Sequence, residues 1–270
     1  MEMNRQYHFS TIEWNSVKLE ILENELFTGD CSWNFNGMSS PFNRIYFMID
    51  GEAYLKNDKE FYELLPGHMY LVPAGSRYDY VCTSVIHKYY IHFNLEIFPG
   101  NDLFSHFSGI QDLAYSPELL ETILAETQKD SLGGILHLKA IFWQIVYDFL
   151  RCSAEEIDYV KLYKGFENQK NTLDYLSAHL SAGLRIREIA DALEMPIHQL
   201  SRSFSRDTGY GLKEYMEQML LKKARHLLLH TDMSVSEISE SLGFTDPFYF
   251  SRFFKKYEQI APREYRRQMF

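Results

Sequence analysis

Cysteine is scarce in this chain. Cys31, Cys82 and Cys152 are the three among 270 residues, an odd and scattered set with no CxxC pair. That speaks against a disulfide framework and reads as reduced thiols in a cytoplasmic protein. No stretch approaches the roughly 20 consecutive apolar residues a membrane-spanning helix needs, so no membrane partner is expected. The opening residues, MEMNRQYHFS, lack the basic-then-apolar pattern of a secretion signal. An excess of positive charge is missing too: 27 Lys and Arg stand against 37 Asp and Glu, a net −10. For the chain as a whole that argues against a polyanionic partner.

The charge is unevenly spread. Residues 169–270 carry 15 basic and 13 acidic side chains, a balance of +2, which leaves 12 against 24, or −12, for the remainder. Only the carboxyl-terminal part is therefore suited to meet nucleic acid. With 46% apolar residues the chain has the composition of a globular protein, and its length allows two domains.

Residues 30–98 alternate as strands do. Arg44–Ile49 runs into the hairpin dipeptide Asp50-Gly51; Glu52–Leu55 follows, with Lys56-Asn57-Asp58 as a second turn. Met69–Val72, the turn Pro73-Ala74-Gly75-Ser76, Tyr78–Cys82 and Lys88–Phe93 continue the pattern. This spacing predicts an antiparallel barrel or sandwich. From about 116 to 163 the period lengthens. Leu119, Leu120, Ile123 and Leu124 form one stripe, and Leu138, Ile141, Phe142, Ile145, Val146 and Phe149 another. Two amphipathic helices are expected, either covering the barrel or forming a dimer interface. The polar run 165–171 (GFENQKN) reads as a linker. The expected division is thus a strand-rich domain with its helical pair over 1–164, a linker over 165–171 and a carboxyl-terminal domain over 172–270.

The last hundred residues contain a duplication. Ile186, Glu188, Ile189 and Leu193 recur 49 residues on as Val235, Glu237, Ile238 and Leu242. Leu200, Ser201, Arg202 and Phe204 recur 50 residues on as Phe250, Ser251, Arg252 and Phe254. Each copy reads as a short helix, a tight break and a second helix, over about 184–207 and 234–257. A helix-turn-helix unit needs that arrangement, because the first helix braces the second in the major groove. Ser234 and Glu237 form a capping box. Gly243 suits a left-handed helix end, Asp246 an N-cap and Pro247 a first helical position. The first copy has Glu194-Met195-Pro196 at its break, with no glycine.

Both second helices have two faces. In the first, Leu200 and Phe204 point inward, while His198, Gln199, Ser201, Arg202 and Ser205 are candidates for base contact. In the second, Phe250, Phe254 and Tyr257 point inward, and Pro247, Phe248, Ser251, Arg252 and Lys255 are the candidates. Arg bonds bidentately to guanine O6 and N7, Ser serves either base type, and Phe248 fits a thymine methyl. Lys222, Lys223, Lys256, Arg263 and Arg266 are candidates for phosphate contact.

These residues resemble a known family. The runs Lys223–Leu229, Ser234–Ile238, Leu242–Lys256 and Ala261–Arg266 are similar to the DNA-binding domain of AraC/XylS-type bacterial regulators, over roughly 170–267. The resemblance implies two helix-turn-helix units joined by a long helix, here about Leu212–Leu229. Their recognition helices enter successive major-groove segments on one face of the DNA. Ser239, Gln259, Gln218 and Leu220 depart from the family pattern. The amino-terminal part resembles the cupin-type sensory barrel of the same family through Gly67-x5-Pro73-x-Gly75. Tyr78 stands where metal-binding cupins place a His, and the region 44–51 has no His-x-His with a Glu. No metal and no cofactor are expected, and His87 and His92 are read as structural or pocket-lining.

Trp33, Arg44, Tyr46, Tyr78, Tyr80, Tyr90 and His92 are the candidate effector residues. Aromatic faces beside hydroxyls suit a sugar-like small molecule. The reading is a transcriptional regulator, an activator of a carbohydrate-uptake or catabolism operon. Its expected partners are double-stranded DNA, a sugar-like effector, a second copy of itself and RNA polymerase. Two alternatives stand beside it: a cupin-fold enzyme with an accessory DNA-binding domain, and a regulator gated by a protein partner.

Overall fold

The computed structural model describes residues 17–30, 33–98, 101–152, 159–258 and 260–268. Cys31 lies outside them, and so does Gln259. The chain divides into two compact units, Met1–Ile97 with Asp102–Ile157, and Asp158–Phe270 with Phe98–Asn101.

Among the described residues the amino-terminal part carries the strands β1 Lys18–Gly29, β2 Phe35–Ser39, β3 Asn43–Asp50, β4 Ala53–Lys56, β5 Phe61–Leu64, β6 His68–Val72, β7 Arg77–Cys82, β8 Ile86–Phe98, β9 Asn101–Asp102 and β10 Gln111–Ala114. They do not close into the expected barrel. One six-stranded sheet has the order β1-β8-β3-β6-β10 with β9 beside β8, and one four-stranded sheet has the order β2-β7-β4-β5. Pairing between the long strands is antiparallel, with Tyr46 opposite Tyr90 and Tyr70, and Arg44 opposite His92 and Val72. Inward-facing residues of both sheets, among them Tyr46, Met48, Leu55, Val72, Tyr80 and Ile86, form one core. Burial of alternate residues is what holds each register, since a one-residue slip would turn every core side chain outward.

Two helices follow, α1 Pro117–Thr127 and α2 Leu132–Cys152. Ser116 caps α1 by accepting from the Leu119 amide, and Pro117 occupies its first turn. The predicted stripes are the buried ones: Leu120 and Ile123 on α1, Phe142, Ile145, Val146 and Phe149 on α2. They cover the outer face of the larger sheet, where the Phe93 and Phe142 rings meet edge to face at 4.9 Å. A cavity of about 200 Å³ lined by Ile21, Tyr89, Ile91, Ile123 and Phe142 lies beneath them.

The second unit is helical: α3 Tyr159–Asn168, α4 Lys170–His179, α5 Ile186–Ala192, α6 Ile197–Thr208, α7 Leu212–His230, α8 Val235–Ser241, α9 Pro247–Glu258 and α10 Pro262–Gln268. Residues 165–171 are not a linker. Phe166 is 1% exposed and packs with Leu173, Leu176, Ile189, Leu200 and Phe204. A Cβ on Gly165 would lie 1.7 Å from the Asp207 carbonyl oxygen, so the glycine is there to let α3 approach the end of α6. A polar stretch with one buried aromatic carries too weak a period to announce a helix.

Candidate nucleic-acid interface and interior site

The duplication is repeated in three dimensions, down to individual hydrogen bonds. In the first break the amides of Leu193, Glu194 and Met195 donate to the carbonyls of Ile189, Asp191 and Ala190. In the second those of Leu242, Gly243 and Phe244 donate to Ile238, Glu240 and Ser239. Both are left-handed helix ends of the Schellman type. Gly243 takes φ +76°, and Glu194 takes the same turn at φ +52° with a side chain attached. The missing glycine therefore does not prevent the turn.

The caps are unequal. Ser234 and Glu237 complete a reciprocal box, at 3.2 and 2.7 Å, and Asp246 accepts from the Tyr249 amide at 2.7 Å to start α9. In the first copy Glu188 reaches back to the Arg185 amide at 2.8 Å, but Pro196 supplies no side-chain cap to α6.

One helix carries both units. Leu212, Tyr215 and Met216 of α7 belong to the core of the first, and Leu220, Leu221, Ala224 and Leu228 to that of the second. Its 19 residues span roughly 28 Å, comparable to the helical repeat of DNA, roughly 34–36 Å. Leu220, a departure from the family pattern, is thus a core residue. Arg225 of α7 pairs with the buried Glu258 carboxylate at the end of α9 and fixes that helix to the linking one.

The outward faces are as the sequence predicts. His198, Gln199, Arg202 and Ser205 are exposed on α6 and Ser201 is half-buried. On α9, Phe248, Arg252 and Lys255 are exposed, while Pro247 and Ser251 are half-buried. Phe248 is 80% exposed, an arrangement that leaves its ring free to contact a partner. Tyr249, also exposed, was not among the predicted residues; its ring lies 5.9 Å from the Arg252 guanidinium. Its position beside Phe248 at the helix start was the available signal.

The phosphate candidates divide. Lys223 and Arg263 are exposed, Lys222 is half-buried, and Lys256 sits against the Tyr257 hydroxyl at 3.0 Å with Glu217 nearby. Arg266 is different. It donates to the carbonyls of Leu228 at 2.8 Å and Met233 at 2.7 Å, closing the end of α7. Charge alone suggested a phosphate contact; the unsatisfied carbonyls past a helix end claim it instead.

In the β-domain the predicted effector residues do converge. Trp33, Tyr46, Tyr78, Tyr80 and Tyr90 share the core between the sheets. Trp33 packs edge to face on Tyr46 and Tyr80, and Arg44 lies 5.3 Å from the Tyr80 ring. His92 stacks on Phe42 at 4.7 Å and contacts Glu23 at 3.1 Å. Burial, with Arg44 and Lys88 near, pushes its imidazole down to about 3, so it is neutral at pH 7. His87 contacts Thr28 at 3.0 Å, a structural role. Burial likewise raises the phenols of Tyr78, Tyr80 and Tyr90. Tyr78 donates to Glu60 at 2.7 Å. Lys88 was missed. Its parity with Ile86, Tyr90 and His92 on β8 was the signal that it points inward.

Residues 189–268 match a family described as a helix-turn-helix domain. The chain is 25% identical over 237 residues to the Msm operon regulatory protein of Streptococcus mutans, covering 83% of this chain and 84% of that protein. It is 21% identical over 240 residues to the lactose operon transcription activator of Staphylococcus xylosus, covering 82% of each. Among solved structures, ToxT from Vibrio cholerae aligns over 93% of this chain and 98% of its own, with a TM-score of 0.53 at 15% identity, a likeness of fold. Among the described residues no helix is long and apolar enough to cross a membrane. With a β-rich amino-terminal domain, two helix-turn-helix units on one helix and these relatives, the chain is similar to transcriptional regulators of the AraC/XylS type.

Proposed function

We propose that this protein is a transcriptional regulator of the AraC/XylS type, a cytoplasmic, effector-gated activator of a carbohydrate-uptake or catabolism operon. The observation that carries the DNA reading is the pair of exposed faces on α6 and α9. Each has an arginine at the same phase, and neither Arg202 nor Arg252 is tied to a carboxylate among the described residues. In this reading Arg202 and Arg252 read guanines in adjacent major-groove segments, His198, Gln199, Ser201, Ser205, Ser251 and Lys255 contact flanking base edges, and Pro247 and Phe248 meet a thymine methyl. Lys222, Lys223, Lys256 and Arg263 serve phosphates. Genome-wide mapping of binding sites gives the operator, and fluorescence anisotropy on that duplex tests the roles. Arg202→Ala and Arg252→Ala are each expected to weaken operator binding by about 1–3 kcal/mol and to relax preference at one base pair. Unchanged preference in the double variant would sink the reading.

Support for a carbohydrate effector comes from the aromatic interior and from a relative named for the lactose operon. An effector gates DNA binding through its differential affinity for two states of the protein. The active species in this reading is a homodimer that contacts RNA polymerase. Leu132, Leu136, Trp143 and Tyr147 are exposed and fall on one face of α2, a stripe that two copies would bury against each other. Leu136→Asp is expected to turn a dimer in sedimentation velocity into a monomer; a wild-type monomer at micromolar concentration would exclude the dimer.

A further inference from the structure

The core of the β-domain holds two cations that no carboxylate among the described residues neutralises. Arg44 on β3 is 2% exposed and Lys88 on β8 is 3% exposed. Buried charges are ordinarily paired, because desolvation costs several kcal/mol per ion. Here the surroundings are aromatic. The Lys88 Nζ lies 3.9 Å from the ring centres of both Trp33 and Tyr46, and 5.3 and 5.8 Å from those of Phe27 and Tyr90. A cation–π cage of that kind partly offsets the missing anion for an ammonium. It does nothing for the in-plane N–H donors of a guanidinium.

Arg44 shows the gap directly. Its Nε and Nη2 are buried with no acceptor in hydrogen-bond geometry among the described residues, the Tyr46 and Tyr80 hydroxyls lying near the guanidinium without meeting that geometry, and the Tyr80 hydroxyl is likewise buried with no such partner. Nε and Nη2 form one edge of the guanidinium, the edge whose two parallel N–H bonds match two oxygens of a carboxylate or phosphate. Burial and Arg44 together drive the Lys88 amine well below its ordinary range, which is the cost of two like charges in one dry site. A single anion would supply the Arg44 edge, accept from Tyr80 and offset the desolvation of Lys88.

We infer that the interior between the sheets takes a small anionic molecule, a carboxylate or phosphate monoester, with Arg44 and Lys88 as its two cationic contacts and Trp33, Tyr46 and Tyr80 as the walls for its remainder. This rests on the reading of the β-domain as the effector-sensing part, and it narrows that effector to an acidic one, a sugar phosphate or sugar acid rather than a neutral sugar.

The test uses the full chain, with calorimetry and thermal unfolding of wild type, Lys88→Met and Arg44→Met. The probes are glucose, lactose, glucose 6-phosphate, gluconate, acetate and inorganic phosphate. Charged probes are expected to bind wild type and to lose at least tenfold in affinity in each variant. Without any probe, Lys88→Met is expected to unfold at least as high as wild type, with a rise of roughly 2–4 °C, since it removes an unpaired buried charge. Glucose or lactose binding wild type and both variants alike would overturn the anion site and leave carbohydrate gating intact. Acetate or inorganic phosphate binding as well as the sugar derivatives supports the anion site and removes the carbohydrate reading. Should no probe bind, the ligand-free stabilities decide: a fall in both variants shows that the cations are structural and overturns the inference.

Discussion

The two helix-turn-helix units share a frame but differ in what holds it. The second is specified by local chemistry: a full capping box at Ser234 and Glu237, an aspartate cap at Asp246, a glycine in the turn and the Arg225–Glu258 pair behind the recognition helix. The first has a side-chain-bearing residue, Glu194, in the left-handed position and no side-chain cap on α6. It has instead two extra helices, α3 and α4, whose Phe166, Leu173 and Leu176 fill its core. The difference teaches that one backbone pattern can be reached by local stereochemistry or by packing, and that the residues worth changing differ accordingly.

Four substitutions separate these two supports. The largest effect is expected from Arg225→Met, which leaves the buried Glu258 carboxylate unpaired at about 2–3 kcal/mol. Urea denaturation reads the loss, and native-state hydrogen exchange should place it in α9 rather than α6. Next comes Gly243→Ala. The left-handed backbone costs about 1–2 kcal/mol with a Cβ, and that Cβ would meet the Ser181 Cβ at 2.9 Å. A loss near 2 kcal/mol is expected in the same assay. The counterpart, Glu194→Gly, has the opposite sign. Relief of the turn outweighs the freer unfolded chain, for a gain of up to about 1 kcal/mol. Should Glu194→Gly destabilise, Glu194 does more in the first turn than fill a position.

The smallest effect concerns one exchanged pair. Ala190 and Ser239 occupy equivalent, fully buried positions before the two turns, and the Ser239 hydroxyl has no hydrogen-bond partner among the described residues. Ser239→Ala puts the first unit's residue into the second and is expected to stabilise by about 1 kcal/mol, measured by thermal unfolding. A loss instead would mean the hydroxyl is satisfied in solution. Operator affinity should be unchanged by it, because the residue lies behind the recognition helix.

Legibility in the sequence followed the strength of local signals. The strands β3, β4, β6, β7 and β8 could be read because one face of each is buried and the alternation is sharp. β1 escaped notice although it is 12 residues long, because, paired among the described residues to β8 alone, it is largely exposed and has little pattern to show. The turn at Lys56-Asn57-Asp58 was readable through its asparagine, whose side chain accepts from the amides of residues 59 and 60 at 2.9 Å. The run 165–171 was misread because its composition is polar and its reason for being helical, the fit of Gly165 and Phe166 against α6, is supplied by residues some forty positions away.

By itself, the sequence determined the periodicities, the duplication and the caps, because each depends on residues within a few positions of one another. It was enough to set out two recognition faces and their arginines. Tertiary structure alone decided that Arg266 closes a helix end, that Phe166 is core and that Lys88 joins Arg44 in a dry aromatic interior. Those outcomes depend on which distant groups share a volume, and in a low-dielectric interior the neighbours, more than the residue type, fix what a charge can do.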